Sequence, residues 1–283
     1  MNARYNAHQI QNSTLALKHL VLVPINGMCN RMRAIASARR LCRLVGAQCT
    51  VEWKWGDIES FFQPMQDLAF CSNAPDVGLY QKKHMPEHIN PARTVNVANE
   101  VVRLRSDQVF WGIHEKPIQL KDVLNDLPKL SLRLQKTVDS FRGEYLKNAV
   151  GLHMRRTDHE KAKLNSPDAL FITRAREVIS CGKVIFLATD NIDTEQMMKR
   201  LFGDAIITFP KRQNLKRRWP RGFNQTAAED DLMEFFLLAA TEYIVGSYWS
   251  SFSGTAIAIN GSPRCEILKV KENIPSSEAN ILR

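Results

Sequence analysis

The stretch Val150-Gly-Leu-His-Met-Arg-Arg-Thr-Asp158 decides the reading of this chain. An apolar strand over Ala149 to Met154 delivers His153, Arg155, Arg156 and Asp158 to its carboxyl end. In a strand, His153 and Arg155 project to the same face, and the loop that follows lets Arg156 and Asp158 turn back over the strand end. Two guanidinium groups there form a candidate anion site. Each can grip phosphate oxygens through two parallel hydrogen bonds, and together they can neutralise a departing pyrophosphate. The plainer alternative is a solvated basic turn or a structural ion pair.

Working outward, the second half alternates regularly between apolar runs and helical spacing. A helix-like stretch from Ser131 to Asn148 precedes the strand, and a helix over Asp168 to Ser180 follows it. The pattern then predicts a strand at Val184 to Ala188, a helix at Asp193 to Phe202, and a strand at Ala205 to Phe209. A helix over Thr226 to Ala240, a strand at Tyr243 to Gly246, a helix beginning near Ser250 and a strand at Glu266 to Val270 complete it. Such alternation implies a doubly wound parallel sheet, because parallel strands need crossovers and the crossover helices cover both faces. Ligands in such sheets bind beyond the carboxyl ends of the strands. At the start of the chain, His19 to Ile25, Asn30 to Val45 and Gln48 to Trp53 read as strand, helix and strand, with Gly46 as the helix stop. The stretch from about 55 to 130 has scattered prolines and short apolar runs, and no topology is assigned to it.

The chain has 283 residues and 44% hydrophobic content, which suits two ordinary cores. A net charge of +10 favours anionic partners such as nucleotides, phosphosugars, nucleic acid or a membrane surface, and a polyanion-binding or nucleic-acid-binding protein is one reading of it. No run of 18 apolar residues occurs and the first residues lack the apolar core of a secretory signal, so a cytoplasmic location is expected. The six cysteines form no C-x-x-C pair and are expected to be reduced packing residues. The sequons at Asn12 and Asn224 then carry no weight. His84-Met-Pro-Glu-His88 departs from a helical zinc motif because Pro86 breaks the helix. The basic run Lys211 to Arg221 raises contact with nucleic acid or membrane, but a mobile loop near an anionic substrate, or a solvated loop, accounts for it as well. Nucleic acid is the less favoured partner.

Three further constellations carry chemistry. Phe186-Leu-Ala-Thr-Asp190-Asn191 is an apolar strand ending in polar residues, where capping of the next helix by Asp190 or Asp193 is the favoured role and contact with a ligand the alternative. Ser250, Ser251, Phe252 and Ser253 stand near a helix start, where free amides and the helix dipole favour phosphate. Glu234, or less readily Asp231, can accept two adjacent donors such as those of guanine, or is an ordinary polar residue of an amphipathic helix. The loop Asn26-Gly-Met-Cys-Asn30-Arg31-Met-Arg33 is similar to a phosphate-binding turn without the G-x-G-x-x-G or P-loop pattern. Asn26, Gly27, Asn30 and Arg31 are its candidate contacts. Arg31 and Arg33 either reach toward a bound diphosphate or are exposed helix arginines.

Gly151-Leu-His-Met-Arg-Arg-Thr-Asp158, Phe186-Leu-Ala-Thr-Asp190 and Ser250-Ser-Phe-Ser253, in that order, resemble the three motifs of the fucosyltransferase superfamily, and Asn26 to Ala36 resembles its N-terminal glycine loop and helix. The resemblance implies a GT-B architecture, two Rossmann-like doubly wound α/β domains facing a cleft, here 1–140 on the acceptor side and 141–283 holding the nucleotide sugar. It implies GDP-fucose as donor substrate, a glycan acceptor, no cofactor and no metal. By family roles, Arg155 holds the donor's β-phosphate, with Arg156, His153 and Asp158 in support. Glu234 reads guanine, and the serines near 250 bind phosphate. The transfer is expected to be inverting, with arginines supplying the charge neutralisation that Mg²⁺ supplies elsewhere. The family's base position falls near Lys163, leaving Glu160 or Asp158 as acidic residues for that role. An inactive relative that binds a nucleotide sugar is a further reading.

Overall fold

The computed structural model describes residues 17–53, 58–71, 80–81, 94–95, 101–107, 109, 111–112, 119–157, 159–212 and 228–270. The chain divides into two compact units, Met1–Thr137 and Val138–Arg283. The division falls three residues before the expected boundary, inside a helix that continues across it.

In the first unit the described elements are β1 (His19–Pro24), α1 (Met28–Val45), β2 (Gln48–Glu52), β3 (Leu68–Cys71), β4 (Tyr80–Gln81), β5 (Thr94–Val95), β6 (Val101–Ser106), β7 (Trp111–Gly112) and α2 (Leu120–Leu124). A parallel sheet runs in the order β3-β2-β1-β6-β4, and β5 pairs with β7 beside it. The opening strand, helix and strand form as the apolar spacing predicts. Gly46 ends α1 at φ 71, a left-handed position that glycine takes without Cβ strain.

The second unit contains α3 (Leu132–Tyr145, which begins in the first), β8 (Ala149–Met154), α4 (Glu160–Asn165), α5 (Asp168–Ser180), β9 (Val184–Thr189), α6 (Ile192–Phe202), β10 (Ile206–Ile207), α7 (Ala228–Ala239), β11 (Ile244–Ser247), α8 (Ser251–Asn260) and β12 (Glu266–Leu268). All five strands are parallel, in the order β10-β9-β8-β11-β12. The chain moves from β8 outward to β10 and then resumes on the other side of β8 with β11. That reversal makes the gap between the carboxyl ends of β8 and β11 the topological switch point, where ligands of open α/β sheets bind.

Every residue of β8 is buried, as expected for a central strand covered on both faces. Val150, Leu152 and Met154 pack with Phe171, Ala175, Val178, Ile185, Leu187 and Met198. The alternate positions face the other layer. A Cβ on Gly151 would stand 2.6 Å from Thr241 Oγ1 and 2.7 Å from Leu238 Cδ1, and one on Gly246 would stand 2.6 Å from Ser253 Cβ. These two glycines therefore let α7 and α8 close onto the sheet, which brings the first turn of α8 against His153.

The elements differ from the periodicity reading at two places. The strand expected over Ala205 to Phe209 is only Ile206–Ile207, since a 3-10 turn occupies Gly203–Ala205. A short helix, α4, stands where none is expected, capped by His159 Nδ1, which accepts from Ala162 N–H at 3.2 Å. All six cysteines are unpaired. Among the described residues no helix is long and apolar enough to cross a membrane.

Candidate functional site

At the carboxyl end of β8 the chain leaves the ladder and is held by its neighbours on both sides. On the β11 side, Ser247 Oγ donates to the His153 carbonyl at 2.9 Å and accepts from Arg155 N–H at 2.9 Å. Ser247 N–H in turn donates to Ser253 Oγ at 3.0 Å, in the first turn of α8. Two hydrogen bonds thus tie Arg155 to the start of that helix.

On the β9 side, Asp190 collects the loop. Its Oδ1 accepts from Arg156 N–H at 2.7 Å, and its Oδ2 accepts from Thr157 Oγ1 at 2.6 Å and pairs with Arg155 Nε at 3.1 Å. Burial alone would raise the Asp190 carboxyl. The Arg155 guanidinium, the Thr157 hydroxyl and the Arg156 N–H outweigh burial and hold it below the ordinary aspartate value. Thr189 Oγ1 donates to the Met154 carbonyl at 2.8 Å, closing the same corner.

The two arginines part company here. Arg156 keeps 8% of its side chain exposed and donates from Nε to Asp168 Oδ1 at 2.6 Å, from Nη1 to the Arg155 carbonyl at 2.9 Å and from Nη2 to the Ser166 carbonyl at 2.8 Å. Its guanidinium also lies 5.2 Å from the Phe171 ring centroid. Arg155 keeps 21% exposure beside Asp190. Arg156 builds the loop, and Arg155 presents a charge beside it.

His153 is 3% exposed, with Nδ1 2.6 Å from Ser253 Oγ and its ring stacked on Phe252 at 4.6 Å. Burial pushes the imidazole down to about 3, so it is neutral at physiological pH. The Ser253 hydroxyl also accepts from Ser247 N–H, and the tautomer of the neutral imidazole sets which of Nδ1 and Oγ donates. Phe252 also packs edge-on against Phe235 at 5.3 Å.

Glu234 lies on α7 and is 5% exposed. Its Oε1 accepts from Lys211 Nζ at 2.8 Å, and the same ammonium donates to the Thr189 carbonyl at 2.5 Å. Both members of this pair sit above their ordinary values. Burial pushes Glu234 up to about 7 against the pull of Lys211, while Lys211, which burial alone would lower, is raised by Glu234. Ser250 caps α8, its Oγ accepting from Ser253 N–H at 3.4 Å. Glu160 opens α4 with its carboxylate 85% exposed and 2.6 Å from Lys163 Nζ.

Several solved structures are similar to this chain in fold. The NodZ α1,6-fucosyltransferase soaked with GDP-fucose matches at a TM-score of 0.53 and 17% identity, over 86% of this chain and 92% of that one. The NodZ fucosyltransferase from Bradyrhizobium matches at 0.54 and 16% identity, over 84% and 92%. A mutant of Arabidopsis thaliana FUT1 in complex with GDP matches at 0.57 and 14% identity, over 91% of this chain and 71% of that one. The chain has a fucosyltransferase-like fold. No protein-family model matches the chain, and no curated protein matches it significantly by sequence.

Within this fucosyltransferase-like fold Glu160 stands on α4, and the other site residues singled out by sequence fall into three sets. His153, Arg155, Arg156, Asp190, Ser250, Ser251, Phe252 and Ser253 meet at the switch point, with Glu234 reached through Lys211 and Thr189. Asn26, Gly27, Asn30 and Arg31 lie together at the start of α1 in the first unit. Asp158, residues 213–221, His84, His88, Asn12 and Asn224 lie outside the described residues.

Several expected roles change. Asp190 does not cap α6, because Asn191 does, its Oδ1 accepting from Thr194 N–H at 2.8 Å. Ser253 is fully buried and its hydroxyl is committed to His153 and Ser247, so it ties the helix to the strand and offers phosphate nothing. Phe252 is a packing ring, and the Arg156 fork is spent on the loop. Arg31 neither reaches outward nor lies exposed. It is 8% exposed, donates from Nε to the Asn26 carbonyl at 2.6 Å and stacks over Trp53 at 4.8 Å, while Asn26 Nδ2 donates to Asp107 Oδ2. The glycine loop of the fucosyltransferase-like fold is thus clamped by its own arginine.

Sequence reasoning missed Ser247, Thr157, Ser166 and Asp168 as supports of the site. Ser166 had no signal: its hydroxyl donates to the Leu268 carbonyl at 2.6 Å and accepts from Tyr248 N–H at 2.8 Å, across about a hundred residues of chain. Lys211 was visible only as one of a basic run.

Proposed function

We propose that this protein transfers a sugar, fucose by preference, from a GDP-sugar to a hydroxyl of a glycan, with inversion and without a metal ion. The observation that carries the reading is the partly exposed Arg155 guanidinium at the switch point, held by Asp190, on a residue whose backbone N–H is two hydrogen bonds from the first turn of α8. A leaving diphosphate gains charge as the C1–O bond breaks. A fixed guanidinium and a helix amino end meet that charge without reorganising. NodZ soaked with GDP-fucose and FUT1 complexed with GDP support a GDP-sugar as the donor.

In this mechanism the acceptor oxygen attacks C1 from the face opposite the diphosphate. A carboxylate takes the acceptor proton, and GDP departs onto Arg155 and the α8 amino end. Glu160 is the described carboxylate assigned to the proton, since it stands exposed in the helix that follows the arginine loop. Ser250 and the first amides of α8 bind the diphosphate, and Glu234 accepts the guanine N1–H and N2–H. Calorimetry with GDP, UDP and ADP in the presence of EDTA tests the reading: GDP is expected to bind at least about tenfold tighter than the other two. Equal affinity for all three would remove it.

The Glu234 assignment carries its own pH signature. Guanine donates to the carboxylate, so the ionised form binds, and in the free protein that form is the minority below about 7. GDP affinity should therefore rise by about tenfold between about pH 6 and pH 8 beyond the contribution of the phosphate's own ionisation. Glu234→Gln should abolish that extra component. An identical pH profile in the variant would show that guanine is read elsewhere.

A further inference from the structure

Between β11 and α8 the chain presents a feature that the donor reading does not use. Trp249 takes φ 57, a left-handed backbone, and its side chain is 58% exposed. Both properties run against folding. A left-handed position suits glycine or asparagine, since a Cβ there crowds the carbonyl, and an exposed indole forgoes the gain of burial. Strain of this kind persists only where the surroundings impose it, and it concentrates at ligand sites.

Here the surroundings impose it from both sides. Tyr248 N–H donates to Ser166 Oγ at 2.8 Å, and Ser250 is fixed as the cap of α8. The indole itself is steadied. Lys161 Nζ, from α4, lies 4.6 Å from its centroid, and the Tyr248 ring lies 5.6 Å away at 58° with Lys269 Nζ 4.8 Å above it. The result is a held, partly exposed indole with the Lys161 ammonium over its ring, one residue before the cap of the helix start assigned to the diphosphate.

We propose that the Trp249 indole is the platform on which a sugar ring of the acceptor glycan stacks. This rests on the GDP-sugar transferase reading and names the recognition element for its second substrate. A pyranose ring offers a face of C–H bonds, slightly positive, to the exposed part of the indole that Lys161 does not cover, and a sugar hydroxyl there accepts from the Lys161 ammonium. An anionic membrane also attracts tryptophan flanked by lysine. The neighbours of this indole are Tyr248 and the hydroxyl residues Ser250 and Ser251 rather than the aliphatic cluster that a membrane anchor needs, which favours the glycan.

The test is capture on a printed array of neutral and charged oligosaccharides, with GDP present, by the wild-type protein, Trp249→Ala, Trp249→Phe and Trp249→Gly. Wild type should capture a subset of glycans. Trp249→Ala should weaken half-saturation on that subset by about tenfold or more, and Trp249→Phe should recover most of it. GDP affinity should stay within about twofold in all three variants. Trp249→Gly should melt no lower than wild type, because glycine relieves the left-handed position, and this separates lost recognition from lost fold. Capture of no glycan by wild type, or equal capture by Trp249→Ala, overturns the proposal. A variant that loses GDP instead would place the indole under the base. One that loses only vesicles of phosphatidylcholine with phosphatidylserine would make it a membrane anchor. Either result overturns the glycan assignment. If wild type fails to bind GDP yet Trp249-dependent glycan capture persists, the donor reading fails and the platform stands.

Discussion

Replacing Arg155 with alanine is expected to lower sugar transfer and donor hydrolysis by about three orders of magnitude, the cost of removing a group that meets charge only as it develops. The fold should survive. Arg155 keeps 21% of its side chain exposed, and Asp190, its partner, retains the Thr157 hydroxyl and the Arg156 N–H when the guanidinium is gone. The melting temperature should therefore move by no more than about 2 °C. Arg155→Lys keeps the charge but not the planar fork, so only part of the activity should return. Turnover assays beside thermal melts decide the matter. Near-normal turnover in Arg155→Ala would end the assignment.

Its neighbour should behave in the opposite way. Arg156→Ala removes three hydrogen bonds and leaves the Arg155 and Ser166 carbonyls and the Phe171 ring without their partner. Asp168 is 46% exposed and can turn to water, so the cost rests on the two carbonyls and the lost packing, about 2–3 kcal/mol. That corresponds to a melting temperature lower by about 5–10 °C. Activity should fall with it, because the displaced loop carries Arg155. Lysine cannot restore three diverging bonds, so Arg156→Lys should stay destabilised. An Arg156→Ala protein that melts like wild type but binds GDP poorly would reverse the roles of the pair.

That pair marks the limit of what residue identity conveys. Covalent neighbours of the same type read alike, and the pattern at 155 and 156 announces only an anion grip. Their separation is made by groups far along the chain. Asp190 comes from the end of β9, Ser247 from the end of β11, and Asp168 and Ser166 from the far side of α4. The same holds for Ser253, whose hydroxyl suits phosphate until α8 packs it against His153.

Strands were legible where they are buried on both faces. Ala149–Met154 and Val184–Thr189 are continuous apolar runs because helices cover them on either side. The strand Val101–Ser106 alternates buried Val102, Leu104 and Ser106 with more exposed residues, the period of a half-buried strand. It stands, however, inside the stretch of scattered prolines and short apolar runs to which periodicity assigns no topology. Its Arg103 is neutralised by Glu52 of β2, a partner that no local pattern reveals. Tyr80–Gln81 is too short for periodicity to act upon.

The sequence by itself determined a doubly wound α/β chain with basic and hydroxyl residues at strand ends, because burial period, glycine positions and side-chain chemistry are local properties. The tertiary structure alone decided which arginine is held and which is offered, which serine is interior, and that Glu234 faces Lys211. Those outcomes depend on desolvation and on hydrogen bonds that reach from about ten to about a hundred positions along the chain, which form only when the loop after β8 folds against α5, β9 and β11.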